Sequence, residues 1–175
     1  MGRLPSTWGD RMITMRVPYT MAGELVMANN LSSQFVDALF TNNVDMPFEC
    51  HRMIPRITAL DDANVALANQ PSQELLQGLA RLRLVDFGKN VNMTKSPTLL
   101  NNLTKGSSER TWEWAEPYYL IRSEGFQATI DTLAFPIWDG GQIPQDPPVV
   151  PLVSLRIEIA FQGFLCVVAP PSNTR

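Results

Sequence analysis

Over Val153–Ala169 the apolar positions fall on every second residue: Leu155, Ile157, Ile159 and Phe161, with Ser154, Arg156, Glu158 and Gln162 on the other phase. A period of two is the signature of a strand with one buried and one wet face. After Gly163 the alternation ends, because Phe164, Leu165, Cys166, Val167 and Val168 are all apolar, so both faces are expected to be covered. At about 3.3 Å per residue the run would exceed roughly 50 Å, long for one strand. A bulge or bend is therefore expected at Gly163. The run predicts a strand in the middle of an antiparallel sheet.

The rest of the chain carries weaker versions of the same pattern. Met12–Val17 alternates until Pro18 and predicts a strand ending there, with a second short strand over Glu24–Ala28. Residues 32–41 fit either a helix capped by Ser32–Ser33 or a strand through Phe35–Thr41. Asn42–Asp45 reads as a turn, and Pro47–Thr58 as extended chain with Phe48, Cys50 and Ile54 on alternate positions. Ser72 before Leu75, Leu76, Leu79 and Leu82 predicts one short helix, with Leu82–Phe87 able to be strand instead. Residues 88–110 read as a long polar loop, Trp112–Ile121 as an aromatic extended run, and Phe126–Ala134 as another alternating strand.

Segments without periodicity frame this core. Residues 1–10 form an N-terminal arm, residues 136–151 a segment with five prolines, and residues 170–175 a tail. The expected architecture is mainly β: an antiparallel β-sandwich, jelly-roll-like, over residues 11–169, with one short helix and extended arms.

Composition changes this picture little. A length of 175 residues suits one domain with a sizeable core plus arms. A net charge of −3, with eleven scattered Arg and three Lys, argues against a nucleic-acid groove. No apolar run approaches the roughly 18 residues of a membrane span. The first fifteen residues lack a secretory signal's apolar stretch, which favours synthesis in the cytoplasm. Cys50 and Cys166 are the only cysteines. A disulfide would need neighbouring strands, and buried free thiols are the expectation.

A search for chemistry finds little. His51 is the only histidine, too few for a metal-binding jelly roll, and as Cys50's neighbour on a strand it would face the opposite way. Asp61–Asp62 beside Asn64 reads as a solvated turn before a cation site. Glu113, Glu116 and Asp131 carry no glycosidase signature, and no phosphate-loop or nucleophile-elbow spacing occurs. Neither a catalytic residue nor a cofactor is expected. Trp112, Trp114, Tyr118 and Tyr119 stand out, because two tryptophans on one face can cover a core, form an interface or stack on sugar rings.

Three blocks, ALFTNNVDMPFECHRMIPRITALD (Ala38–Asp61), EPYYLIRSEGFQATIDT (Glu116–Thr132) and LRIEIAFQGFLCVV (Leu155–Val168), resemble virion proteins of tailed bacteriophages. The phrasing TNN-x-D-x-PFE and F-x-G-F-L is similar to that of jelly-roll cement or decoration proteins. The resemblance covers under half of the chain, and Asn64–Arg110 lies outside it. It implies a small β-sandwich on the virion surface that self-associates as a dimer or trimer and bridges major capsid protein subunits. The arms would suit such a subunit, with contacts expected through Trp8 and Met12 and through Ile137, Trp138 and Ile143. The alternative is a carbohydrate-binding β-sandwich of a receptor-binding or fibre apparatus, using the aromatic run.

Overall fold

Strand β10 (Ser154–Val168) realises the C-terminal alternating run, and it is central. It pairs antiparallel with β2 (Arg11–Ala28) on one side and β4 (Phe48–Leu60) on the other. The structure is a computed structural model that describes residues 7–8, 11–28, 34–61, 63–105, 107, 109–132 and 154–169. Its remaining elements are β1 (Thr7–Trp8), β3 (Gln34–Thr41), α1 (Gln73–Gln77), β5 (Ala80–Asp86), β6 (Val91–Asn92), β7 (Thr98–Leu99), α2 (Leu100–Leu103), β8 (Trp112–Leu120) and β9 (Gly125–Thr132).

The strands make two antiparallel sheets, ordered β1-β2-β10-β4-β8 and β3-β9-β5-β6, with β7 also on β5. The pairs β5–β6, β4–β8, β3–β9 and β2–β10 are nested in sequence. That nesting is one long hairpin wound into two layers, the winding of a jelly roll. The β-sandwich expected from the pattern is the fold.

Each sheet turns one phase of its strands inward. On β10 the inward set is Leu155, Ile157, Ile159, Phe161 and Leu165; on the other sheet it includes Leu82, Leu84, Phe126, Ala128 and Ile130. Phe161 lies opposite both Met21 and Met53 and meets Phe126 at 4.6 Å between ring centres. Burying each such ring contributes about 1.5–3 kcal/mol.

The bulge sits where expected but on the other strand. Gln162 pairs with Arg52 and Gly163 with Cys50, so the extra residue is His51 of β4. Gly163 supplies the space, since a Cβ there would lie 1.8 Å from the Glu49 carbonyl oxygen. The bulge also shifts β4 by one phase. Phe48 and Cys50 are buried before it, and Met53, Pro55, Ile57 and Ala59 after it, while Ile54 faces out with its neighbours only half-covering it. The expected alternation of Phe48, Cys50 and Ile54 therefore fails beyond His51.

Two other expectations change, and one open alternative is decided. Met12–Val17 and Glu24–Ala28 are parts of one strand, and Pro18 lies within it opposite Phe164. The segment 34–41, which fitted either helix or strand, is strand. The 88–110 loop carries β6, β7 and a second helical turn, α2, so among the described residues the single short helix becomes two. The expected helix itself forms, with Ser72 capping Leu75.

Strand β8 pairs with β4 only from Phe48 to Met53. Past that point glutamine side chains take over the ladder. Gln73 accepts from the Ile57 N–H (3.1 Å) and donates to the Ile57 carbonyl (2.7 Å). Gln70 does the same for Ala59 at 2.8 and 2.9 Å, and Gln77 donates to the Pro55 carbonyl.

Candidate functional site

Of the expected interface residues, Met12 lies at one end of β2. Along its inward face exposure rises from Met27 (0%) and Met21 (6%) to Val17 (38%) and Met15 (55%), with Met12 at 63% beyond. Residues of the same phase thus go from core to solvent toward the N-terminal end of β2, although Leu165 of β10, opposite Val17, is still buried. Trp8 belongs to β1, which pairs Thr7 with Met12 and Trp8 with Arg11. The described part of the N-terminal arm, Thr7–Trp8, is therefore an edge strand on this exposed end of β2. Ile137, Trp138 and Ile143, with the proline-rich segment, lie outside the described residues.

The aromatic run divides between core and polar network. Trp114 stacks on Phe126 (5.8 Å, 26°) and Phe161 (6.3 Å, 8°), and Trp112 tilts against it at 51°. Both are half-buried against the core, so the pair is not a flat stacking platform. Tyr118 points inward and donates to Asp86 (2.6 Å). Asp86 is buried and also accepts from Lys89 Nζ (3.2 Å) and the Lys89 backbone N–H (2.9 Å). Burial alone would raise the Asp86 carboxyl; the Tyr118 and Lys89 bonds outweigh it and hold it below its usual value.

The bulge creates a second buried carboxylate, which the sequence did not signal. Glu49 is buried on the outward side of its sheet, where Arg16 Nε donates to Oε2 (3.0 Å) and His51 Nε2 meets Oε1 (2.8 Å). The Cys166 thiol donates to Oε2 at 3.4 Å. His51 reaches back to Glu49 two residues away because the extra residue breaks the strict alternation of faces. Burial would raise Glu49, yet the His51, Arg16 and Cys166 contacts together hold it below the ordinary range. Tyr119 lies opposite Glu49 across the ladder, and burial followed by that carboxylate pushes its phenol up to about 12. The same environment pushes Cys166 up to about 12, first through burial and then through the carboxylate, and burial pushes Cys50 up as well. Both cysteines are free and buried. Their strands are neighbours, but Cys50 faces the core and Cys166 faces Glu49. A thiol so raised is not a nucleophile near neutral pH.

Above this cluster the sheet face holds a cavity of about 690 Å³, lined among others by Thr20, His51, Arg52, Glu113, Gln162 and Phe164. Arg52 is already committed to Gln162 (3.0 Å) and Glu109 (3.2 Å). A second hollow of about 490 Å³ shares Gln162 and has a floor of Ala22, Ile54 and Ala160. Cross-strand polar pairs of this kind fix register and keep an outward face wet.

The remaining candidates are structural. Asp61 accepts from the Ala63 and Val65 N–H groups (2.9 and 2.8 Å), building the turn after β4. Asp62 lies outside the described residues, and Asn64 accepts from Ser154. Asp131 pairs with Arg81. Among the described residues no group of three His, Cys, Asp or Glu side chains could hold a metal ion, and no helix is long and apolar enough to cross a membrane. Comparisons with family models, curated proteins and solved structures find no match for this chain.

Proposed function

We propose that the chain is a non-enzymatic virion subunit, a cement or decoration protein that binds the outside of an assembled bacteriophage shell. The observation that carries this reading is the exposed apolar end of β2, where Met12, Met15 and Val17 are exposed while Met21 and Met27 further along are core. A rigid sandwich that extends an apolar strand end and an N-terminal arm from one corner can reach a neighbouring subunit without unfolding its own core. Methionine suits such a contact because its unbranched side chain adapts to an uneven surface. The three sequence blocks that resemble phage decoration proteins map onto β3–β4, β8–β9 and β10, so the resemblance lies in the sandwich itself.

The mechanism would be thermodynamic. A protein that binds only the assembled shell stabilises that state by mass action, and many symmetric copies add avidity. The test is co-sedimentation with assembled shells of the encoding phage, comparing the full chain with one lacking residues 1–10. The expected result is a folded truncation, judged by circular dichroism, that binds shells poorly. Undiminished binding would remove the arm, and failure of the full chain to bind would remove the cement role.

A further inference from the structure

We propose that the outward face of the β2-β10-β4-β8 sheet binds a neutral oligosaccharide along a polar row running from Thr20 to Glu113. The register builds that row from four strands. Gln162 of β10 stands opposite Thr20 and Arg52, and Arg52 stands opposite Glu113. Apolar ground flanks the row on both sides. On one side Ala160 lies between Ala22 and Ile54, and on the other Phe164 lies beside Pro18. Successive outward positions on a strand are about 7 Å apart. A ligand laid along β10 would therefore meet apolar, polar and apolar ground in turn. The hollows of about 690 and 490 Å³ lie on this ground and share Gln162. Each is large enough for a small molecule, and apolar walls with a few convergent polar groups are the usual form of such a site.

The hydrogen-bonding groups still free along the row select the ligand. Gln162 gives its side-chain carbonyl to Arg52 Nε (3.0 Å), so its amide nitrogen keeps two donors. Glu113 is exposed and makes no hydrogen bond or ion pair among the described residues. Its carboxylate only accepts. His51, which lines the same hollow, adds a second acceptor. Its Nε2 lies 2.8 Å from Glu49, a carboxylate held below its ordinary value. An ionised carboxylate cannot donate, so a neutral His51 carries its proton on Nε2 and a lone pair on Nδ1. Thr20 brings a hydroxyl that can do both.

Free donors and free acceptors thus stand in one row between apolar patches. A sugar is the complement, because each hydroxyl both donates and accepts while the C–H faces of the ring are apolar. An anion is disfavoured: Glu113 is unpaired, whereas Arg52 is already held by Glu109 (3.2 Å). An extended peptide would seek an open strand edge, and this is the face of a sheet. The aromatic pair is not required, since Trp112 and Trp114 pack against the core. The inference does not rest on the shell-binding reading.

The experiment is saturation-transfer difference NMR on the full chain, with maltotriose, cellotriose, chitotriose and the acidic sialyllactose as probes. Titration calorimetry of whichever trisaccharide responds then gives its affinity. At least one neutral trisaccharide is expected to receive saturation, and sialyllactose is not. Glu113→Ala removes an exposed carboxylate without a partner and should weaken binding about tenfold, the worth of one hydrogen bond to a charged group. Ala160→Trp fills the apolar floor from its outward side and should abolish binding, with its fold checked by circular dichroism. Should that variant fail to fold, Glu113→Ala decides alone. Silence from all the neutral probes would overturn the proposal, as would a response to sialyllactose as strong as any of theirs. So would neutral binding that Glu113→Ala leaves unchanged, because the contact would then lie elsewhere. Neither variant alters residues 1–10 or Met12–Val17, so both should co-sediment with shells as the wild type does. Each reading can therefore fail while the other stands.

Discussion

The side-chain amide of Gln73 binds both backbone groups of Ile57, accepting at 3.1 Å and donating at 2.7 Å, as a neighbouring strand would. It joins α1 to the stretch of β4 that β8 does not cover. Only a carboxamide has the donor and acceptor side by side for this. Gln73→Leu should therefore destabilise the fold by about 1–3 kcal/mol, the cost of leaving partly buried backbone groups unmade. Gln73→Glu keeps an acceptor but loses the donor and should also weaken the site. Hydrogen exchange at the Ile57 amide reports this directly. Unchanged protection in Gln73→Leu would show that the contact does not hold the edge.

Two buried carboxylates, Glu49 and Asp86, should govern acid stability. Both have folded pKa values below their unfolded ones, so each contributes stability that is present above the unfolded pKa. That contribution is lost as pH falls through the folded value, because the unfolded chain then binds more protons. The loss therefore belongs below about pH 4.5 for Glu49 and below about pH 3.8 for Asp86, their ordinary values. Glu49→Gln and Asp86→Asn should be less stable at neutral pH, by about 2–3 kcal/mol where a buried ion pair is broken. Each should show a flatter acid limb in melting temperature against pH. An acid limb identical to the wild type would take that carboxylate out of the account.

How far the sequence predicted this architecture depends on whether a residue acts within its own segment. Leu155, Ile157, Ile159 and Phe161 reveal β10 because alternation is local. Ser72 reveals α1 because a cap acts three residues away. Pro18 misled because proline breaks a strand only when its missing N–H is needed, and that depends on which neighbour lies alongside. The bulge at His51 has no local signal; what shows is Gly163 across the ladder. Gln70, Gln73 and Gln77 read as polar loop and helix surface, yet they act as a strand. Glu49 looks like a wet position until Arg16 and Cys166 arrive from strands 33 and 117 residues away. Long-range polar partners were the part no periodicity could carry.

Both thiols should be silent in the native protein. Cys50 is buried toward the core and Cys166 is raised to about 12 beside Glu49, so almost none of either is thiolate near pH 8. A chromogenic disulfide reagent should titrate no thiol without denaturant and two with it. Native labelling of Cys166 at the rate of a free thiol would mean that the Glu49 cluster opens readily.

Two glycines should respond oppositely to alanine. At Gly163 the new Cβ would stand 1.8 Å from the Glu49 carbonyl oxygen and 2.8 Å from its carbon. Those are backbone atoms of the bulge, with no rotamer to relieve them, and moving them disturbs Glu49 and His51 together. Gly163→Ala should cost about 3 kcal/mol, at the upper end of overpacking effects. At Gly78, the end of α1, the nearest atom is the Asn101 side-chain nitrogen at 3.1 Å, and φ is −71°. That conformation suits alanine, and Asn101 can shift by a few tenths of an ångström. Gly78→Ala should be neutral or stabilising by up to about 1 kcal/mol, through a less flexible unfolded chain. Equilibrium urea unfolding of the two variants separates the cases. Equal stability would mean that the bulge yields to a methyl group, and the close approach of β10 to β4 would lose its role in placing His51 against Glu49.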